Sequence, residues 1–210
     1  MMAPHRTARL TSALAIVTGL AWIAAQVGGV DGWIAEQAGF IPLRFTGNTT
    51  GFVVPAWLTP WSATLVHGDA LHITFNLIML VYCGRAVEQV LGAWALATLY
   101  IVGAAAAAAA QFLVDPTSAV PMIGASGAIS AVLAVYALLF SRNEVRAIGP
   151  IPAHWVRALW LAVAWTGVQW LLSFATSKGG YQIATAAHVG GFLVGLALAR
   201  PLLAWRYRQA

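Results

Sequence analysis

Charge is what this chain of 210 residues has least of: charged residues make up 8% of it and apolar residues 60%. A soluble domain carries roughly a quarter charged residues, and no segment here is long and polar enough to form one. Cysteine is nearly absent. The single Cys83 lies inside an apolar run, which excludes both a disulfide framework and a cysteine-built metal site. No His-Glu-x-x-His helix is present, so a metalloprotease site is excluded, and neither a metal nor a cofactor is expected. Carboxylates are sparse and badly placed for aspartyl chemistry. Asp31, Asp69 and Asp115 fall in loops or at their edges, and Glu88 and Glu144 fall toward the other side of the chain's spans. The same placement leaves no acid to complete a Ser-His-Asp triad. The net charge of +5 does not point to nucleic acid, because the arginines are scattered over helix-flanking positions and form no basic patch.

What the chain does have is uncharged apolar stretches of about 20 residues, the length a helix needs to span hydrocarbon. Six are expected, at Leu10–Val27, Leu71–Val90, Trp94–Leu113, Ser126–Phe140, Trp155–Phe174 and Ala187–Trp205. The fourth is short, which fits a Ser126 that lies below the membrane surface. The first follows Arg6 and Arg9 as a secretory signal would, but its apolar run is long and no small-x-small cleavage site follows it. The expected fold is an all-α polytopic bundle of six transmembrane helices. It forms a single membrane domain over residues 1–210, with a short cytoplasmic N-terminus (1–9) and a short cytoplasmic C-terminus (206–210).

Positive charge orients this bundle. With the N-terminus in the cytoplasm, nine arginines (6, 9, 85, 142, 146, 157, 200, 206 and 208) fall inside, and Arg44 and Lys178 fall outside. Spans two, four and six then all begin at the outer face, and their first turns carry His72 with Asn76, Ser126, and His188. The first outer loop, residues 28–70, is too long for a simple connection. Its aromatic residues Trp33, Phe40, Phe45, Phe52, Trp57 and Trp61 suggest that it lies partly immersed beside the bundle. Asn48-Thr49-Thr50 matches a glycosylation sequon, a pattern common by chance. The run Ala104–Ala110 reads as a close-packing surface.

Gly124-Ala125-Ser126-Gly127 fits two roles. It is a small-residue packing motif, or a tight turn that presents a hydroxyl and the Ser126 N–H at a helix N-terminus. His188 is costly within a span unless it is paired or functional. Gly191 and Gly195 below it provide a small face, so span six can pack tightly on Gly127 and Ala128 of span four. That packing brings the imidazole to about 3 Å from the hydroxyl. His72 and Asn76, at i and i+4, share one face of span two. They can donate to an oxyanion, or they can bond to the immersed loop and fix it. His67 reads as a loop or interface residue.

These motifs, in order, resemble the rhomboid intramembrane serine proteases of the bacterial six-helix type. They are His67-Gly68-Asp69-Ala70-Leu71-His72 with Asn76; Gly84, Glu88 and Gly92; Gly124-Ala125-Ser126-Gly127; and Ala187-His188-x-x-Gly191-x-x-x-Gly195. The resemblance runs from about Pro55 to Arg200. It implies a Ser126 nucleophile and a His188 general base, with the Ser126 N–H, His72, Asn76 and Gly124 around the oxyanion. It also implies membrane-protein substrates cut within a transmembrane segment near the outer face of an inner membrane, with span five and the outer loops gating their lateral admission. The alternative is an inactive relative that binds client spans as a scaffold or quality-control factor. Two departures stand out. Ser130 occupies the place where some members carry a tyrosine stacked on the histidine, and the Trp-Arg pair of some first outer loops is missing. Arg85 and Glu88 suggest an i, i+3 pair.

Overall fold

Helix α1 (Arg9–Gly28) has no side-chain cap of its own. Its first N–H groups are met from another span. The buried Glu88 carboxylate accepts from the Leu10 N–H at 3.0 Å, the Thr11 N–H at 2.8 Å and the Thr11 hydroxyl at 2.6 Å. An anionic group at a helix N-terminus answers both the orphan donors and the positive end of the dipole. The expected partner of Glu88, Arg85, is exposed instead. One turn of helix separates them, but Glu88 faces α1, where unsatisfied donors are more demanding than an exposed guanidinium that water already solvates.

The computed structural model describes residues 7–47, 50–140, 145–177 and 184–208. The sequon residues Asn48 and Thr49 and the charges Arg6, Arg142, Glu144 and Lys178 lie outside them. The first loop is more ordered than its prolines suggest. It holds α2 (Asp31–Ala38), short 3-10 turns at Pro42–Phe45, Ala56–Leu58 and Ala63–Leu65, and α3 (Thr59–Ser62). Proline is tolerated in the first turn of a helix, where its missing N–H costs nothing, so Pro42 and Pro60 start helical turns here. Arg44 organises this loop. Its guanidinium donates to the carbonyls of Gln37 (3.3 Å) and Val54 (2.5 Å) and lies 3.9 Å over the Phe52 ring. The loop lies beside the bundle, with the Trp61 indole N–H donating to the Ile101 carbonyl of span three at 3.0 Å.

Span two comprises α4 (Ala70–Met79), a π-helical turn at Leu80–Gly84 and α5 (Arg85–Leu91). Asp69 caps it, its carboxylate accepting the His72 N–H at 2.8 Å. Gly92, at φ +92°, lets the chain turn at once into α6 (Ala93–Val114). Then follow α7 (Ser126–Phe140), α8 (Ala153–Ser177) and α9 (Thr185–Arg206). Among the described residues, five spans are long and apolar enough to cross a membrane: Arg9–Gly28, Ala70–Leu91, Ala93–Val114, Ala153–Ala175 and Thr185–Arg206. Helix α7 has 15 residues. At 1.5 Å per residue it reaches about 22 Å, short of the ~30 Å of hydrocarbon, which suits a start inside the membrane.

The core is shared by α5, α6, α7 and α9, through Val87, Leu91, Leu96, Leu99, Val132, Val135 and Ala199. Lipid gives helices no hydrophobic reason to associate, so close backbone approach does that work. A Cβ at Gly191 would overlap the Gly127 carbonyl oxygen, and one at Gly195 the Ala131 carbonyl oxygen. A Cβ at Gly127 would fall 2.5 Å from the Ala107 methyl, so the alanine run of α6 is indeed a packing surface. Helix α8 is different. Among its described residues, Val156 and Gln169 are the buried ones.

Glu88→Ala should lower the thermal stability of the detergent-solubilised protein by about 3 kcal/mol, the scale for losing hydrogen bonds to a charged buried group. An unchanged melting temperature would show that α1 does not depend on that carboxylate.

Candidate active site

Ser126 is the first residue of α7, so its N–H has no acceptor within the helix. The chain reaches it through Gly124, which adopts φ +106°, a conformation L side chains rarely take. Space imposes the same choice. A Cβ at Gly124 would fall 2.6 Å from Nε2 of His72 and 3.7 Å from the Ser126 Oγ. The turn is held by the first loop. The Gly124 N–H donates to the Ala63 carbonyl at 2.9 Å, and Phe40 and Met122 exchange backbone hydrogen bonds at 2.9 and 2.8 Å.

His188 lies in the first turn of α9, where its N–H donates to the Ala184 carbonyl at 3.2 Å. The glycine contacts of α9 with α7 bring its Nε2 to 2.6 Å from the Ser126 Oγ. A hydroxyl and an imidazole at hydrogen-bond distance, beside an unpaired-in-helix N–H, form an arrangement suited to nucleophilic attack. The ring's other nitrogen, Nδ1, is 2.8 Å from the Oε1 of Gln169 in α8. Trp165, one turn earlier in α8, donates its indole N–H to the His188 carbonyl at 3.3 Å and stacks on Phe192 with centroids 5.2 Å apart.

The other expected residues divide. His72 stands against Gly124, beside the serine. Asn76 is buried a turn deeper, and one of its amide hydrogens is used on the His72 carbonyl at 2.8 Å, leaving the second for other acceptors. Ser130 donates its hydroxyl to the Ser126 carbonyl at 2.8 Å. His67 lies in the loop just before α4, in line with the expected loop or interface position. It is buried, its ring packs edge-on against His72 with centroids 4.9 Å apart, and its Nε2 accepts the Ala125 N–H at 3.4 Å. Among the described residues, no group of three His, Cys, Asp or Glu side chains is placed to hold a metal. Sequence reasoning missed Gln169. The available signal was a lone amide within an apolar span, four residues after a tryptophan and so on the same helix face.

Burial lowers the pKa of His67 from 6.5 to about 4, helped by the repulsion of neighbouring His72. It is therefore neutral at neutral pH and able to accept the N–H that precedes Ser126.

Compared with protein families, residues 55–205 match the one described as the Rhomboid domain. The rhomboid protease GlpG of Haemophilus influenzae is 32% identical over 136 residues, covering 64% of this chain and 64% of that protein. The rhomboid protease GlpG of Pectobacterium atrosepticum is 31% identical over 193 residues, covering 90% of this chain and 61% of that protein. The chloroplastic rhomboid-like protein 11 of Arabidopsis thaliana is 32% identical over 153 residues, covering 69% and 52%. The chain thus spans between about half and two thirds of the length of these relatives.

The unfolded chain takes up a proton at His67 near pH 6.5, whereas the folded one resists until about pH 4. The stability linked to this residue is therefore complete above 6.5 and falls as the pH drops from 6.5 to 4, by about 3 kcal/mol at most. His67→Gln, which keeps an acceptor for Ala125, should flatten that part of the stability profile. Parallel profiles for variant and wild type would show that His67 is not the residue responsible.

Proposed function

Because the chain belongs to the rhomboid family, and because its Ser126 Oγ lies 2.6 Å from the Nε2 of His188, we propose that it is an intramembrane serine endopeptidase that cuts transmembrane segments of other membrane proteins. That single distance carries the reading: a packing serine has no need of an imidazole aimed at its hydroxyl. The intact set of Ser126, His188, His72 and Asn76 favours a working enzyme over a scaffold that only binds client spans.

The steps follow from the geometry. Ser126 Oγ attacks the scissile carbonyl carbon while its proton passes to Nε2 of His188. Negative charge gathers on the former carbonyl oxygen, where the Ser126 N–H, His72 and the second Asn76 N–H are the candidate donors; Gly124 leaves the room that His72 needs. The tetrahedral species collapses as the C–N bond breaks and His188 returns the proton to the leaving amine. Water then attacks the acyl-serine, giving its proton to His188, and the second collapse frees the carboxylic acid and restores Oγ–H. The positive-charge asymmetry favours both termini in the cytoplasm of a cell with an inner membrane, and a dyad that opens to the extracytoplasmic side. A substrate helix has its carbonyls engaged in i to i+4 hydrogen bonds, so the scissile bond must first unwind.

The test is cleavage of a single-span reporter by the protein in liposomes. Ser126→Ala and His188→Ala should each lower the rate by about 10³-fold or more. Placing glycines near the outer end of the reporter span should raise it relative to an unbroken leucine run, since glycine weakens a helix by about 1 kcal/mol per residue. Equal cleavage by the Ser126 variant would overturn the assignment.

A further inference from the structure

We propose that Gln169 is a positioning residue that sets the tautomer of His188, so that the base is ready only while α8 is docked on α9. The proposal rests on the dyad reading above and extends it to a residue outside the dyad.

Gln169 is 3% exposed, on a helix that otherwise buries little. A primary amide taken out of water is costly unless it is hydrogen-bonded, and its Oε1 finds Nδ1 of His188 at 2.8 Å. An amide oxygen only accepts, so Nδ1 must carry the hydrogen, and the ring's other nitrogen must present its lone pair. That lone pair faces the Ser126 Oγ at 2.6 Å. The opposite tautomer would put N–H against the hydroxyl, and no proton could then leave the serine. One bond from α8 therefore distinguishes a base from a spectator.

Other groups at the site do not perform this task. The Ser130 hydroxyl is engaged by the Ser126 carbonyl. The Glu88 carboxylate is engaged by the start of α1. A neutral amide also orients the ring without bringing a charge into hydrocarbon, where an ionised carboxylate would be costly. The support arrives with a second anchor at i and i+4 on the same face of α8. Trp165 stacks on Phe192 and donates to the His188 carbonyl at 3.3 Å. Helix α8 is thus fastened to the first turn of α9 at the point where the imidazole is held, and moving it away removes the ring's partner.

Gln169→Met keeps length and volume but has no amide oxygen, whereas Gln169→Glu keeps an acceptor. In detergent-solubilised full-length protein labelled with ¹⁵N-histidine, the His188 signals, identified by their loss in His188→Ala, should show a protonated Nδ1 and an unprotonated Nε2. Gln169→Met should convert this to a mixture of tautomers, and Gln169→Glu should restore it. In the reporter assay Gln169→Met should lower kcat about tenfold to a hundredfold with KM within about twofold, the pattern of a misoriented base. A wild-type ring protonated on Nε2, or a methionine variant with unchanged tautomer and kcat, would overturn the proposal. The nitrogen spectrum reads the ring whether or not any span is cut, so this failure is distinct from failure of the protease reading.

Discussion

Contact between the backbones of α7 and α9 is the constraint on which everything else in this molecule depends. At Gly191 against Gly127, and at Gly195 against Ala131, there is no room for a side chain carbon between the two helices. Helices in lipid are drawn together by packing and by hydrogen bonds, not by escape from water. The glycines therefore set both the stability of the pair and the depth at which it holds its polar ends. Because His188 is one turn above Gly191 and Ser126 immediately precedes Gly127, the same contact that joins the helices brings imidazole to hydroxyl. Site and packing are one feature of the sequence.

Few polar groups are spent inside this bundle, and several of them find partners on other elements. Glu88 satisfies the beginning of α1, Arg44 gathers the first loop, His67 supports the turn before Ser126, and Gln169 holds the imidazole. The pairings of Glu88, His67 and Gln169 each link separate elements, because within hydrocarbon an unpartnered polar group costs several kcal/mol. The first loop belongs to the same scheme. Its bonds to Met122 and Gly124 fix the turn that leads into Ser126, so a segment that resembles a long connection is part of the site's scaffold.

The helical spans could be read from sequence almost residue by residue, since apolar length alone defines a membrane helix. The approach of Ser126 and His188 could be read as well, because they open segments that run in the same direction and carry small residues beneath them. Pairings between side chains were harder. Arg85 and Glu88 suited an i, i+3 pair, but no sequence rule tells a carboxylate that a neighbouring helix will begin beside it. The partner of Gln169 could not be read for a related reason: an amide in a span can bond to any facing helix, and only the docking of α8 decides which. The loop's short helices were hidden by prolines that break a helix when internal and start one when first.

Mass-spectrometric mapping of the covalent adduct left by a fluorophosphonate tests the central claim most directly, because it reports which hydroxyl has been made nucleophilic by a neighbouring base. The account predicts one modified residue, Ser126, in the membrane-embedded wild-type protein, and no adduct when His188 is replaced by alanine. An adduct on another serine, or undiminished modification of Ser126 without His188, would contradict it.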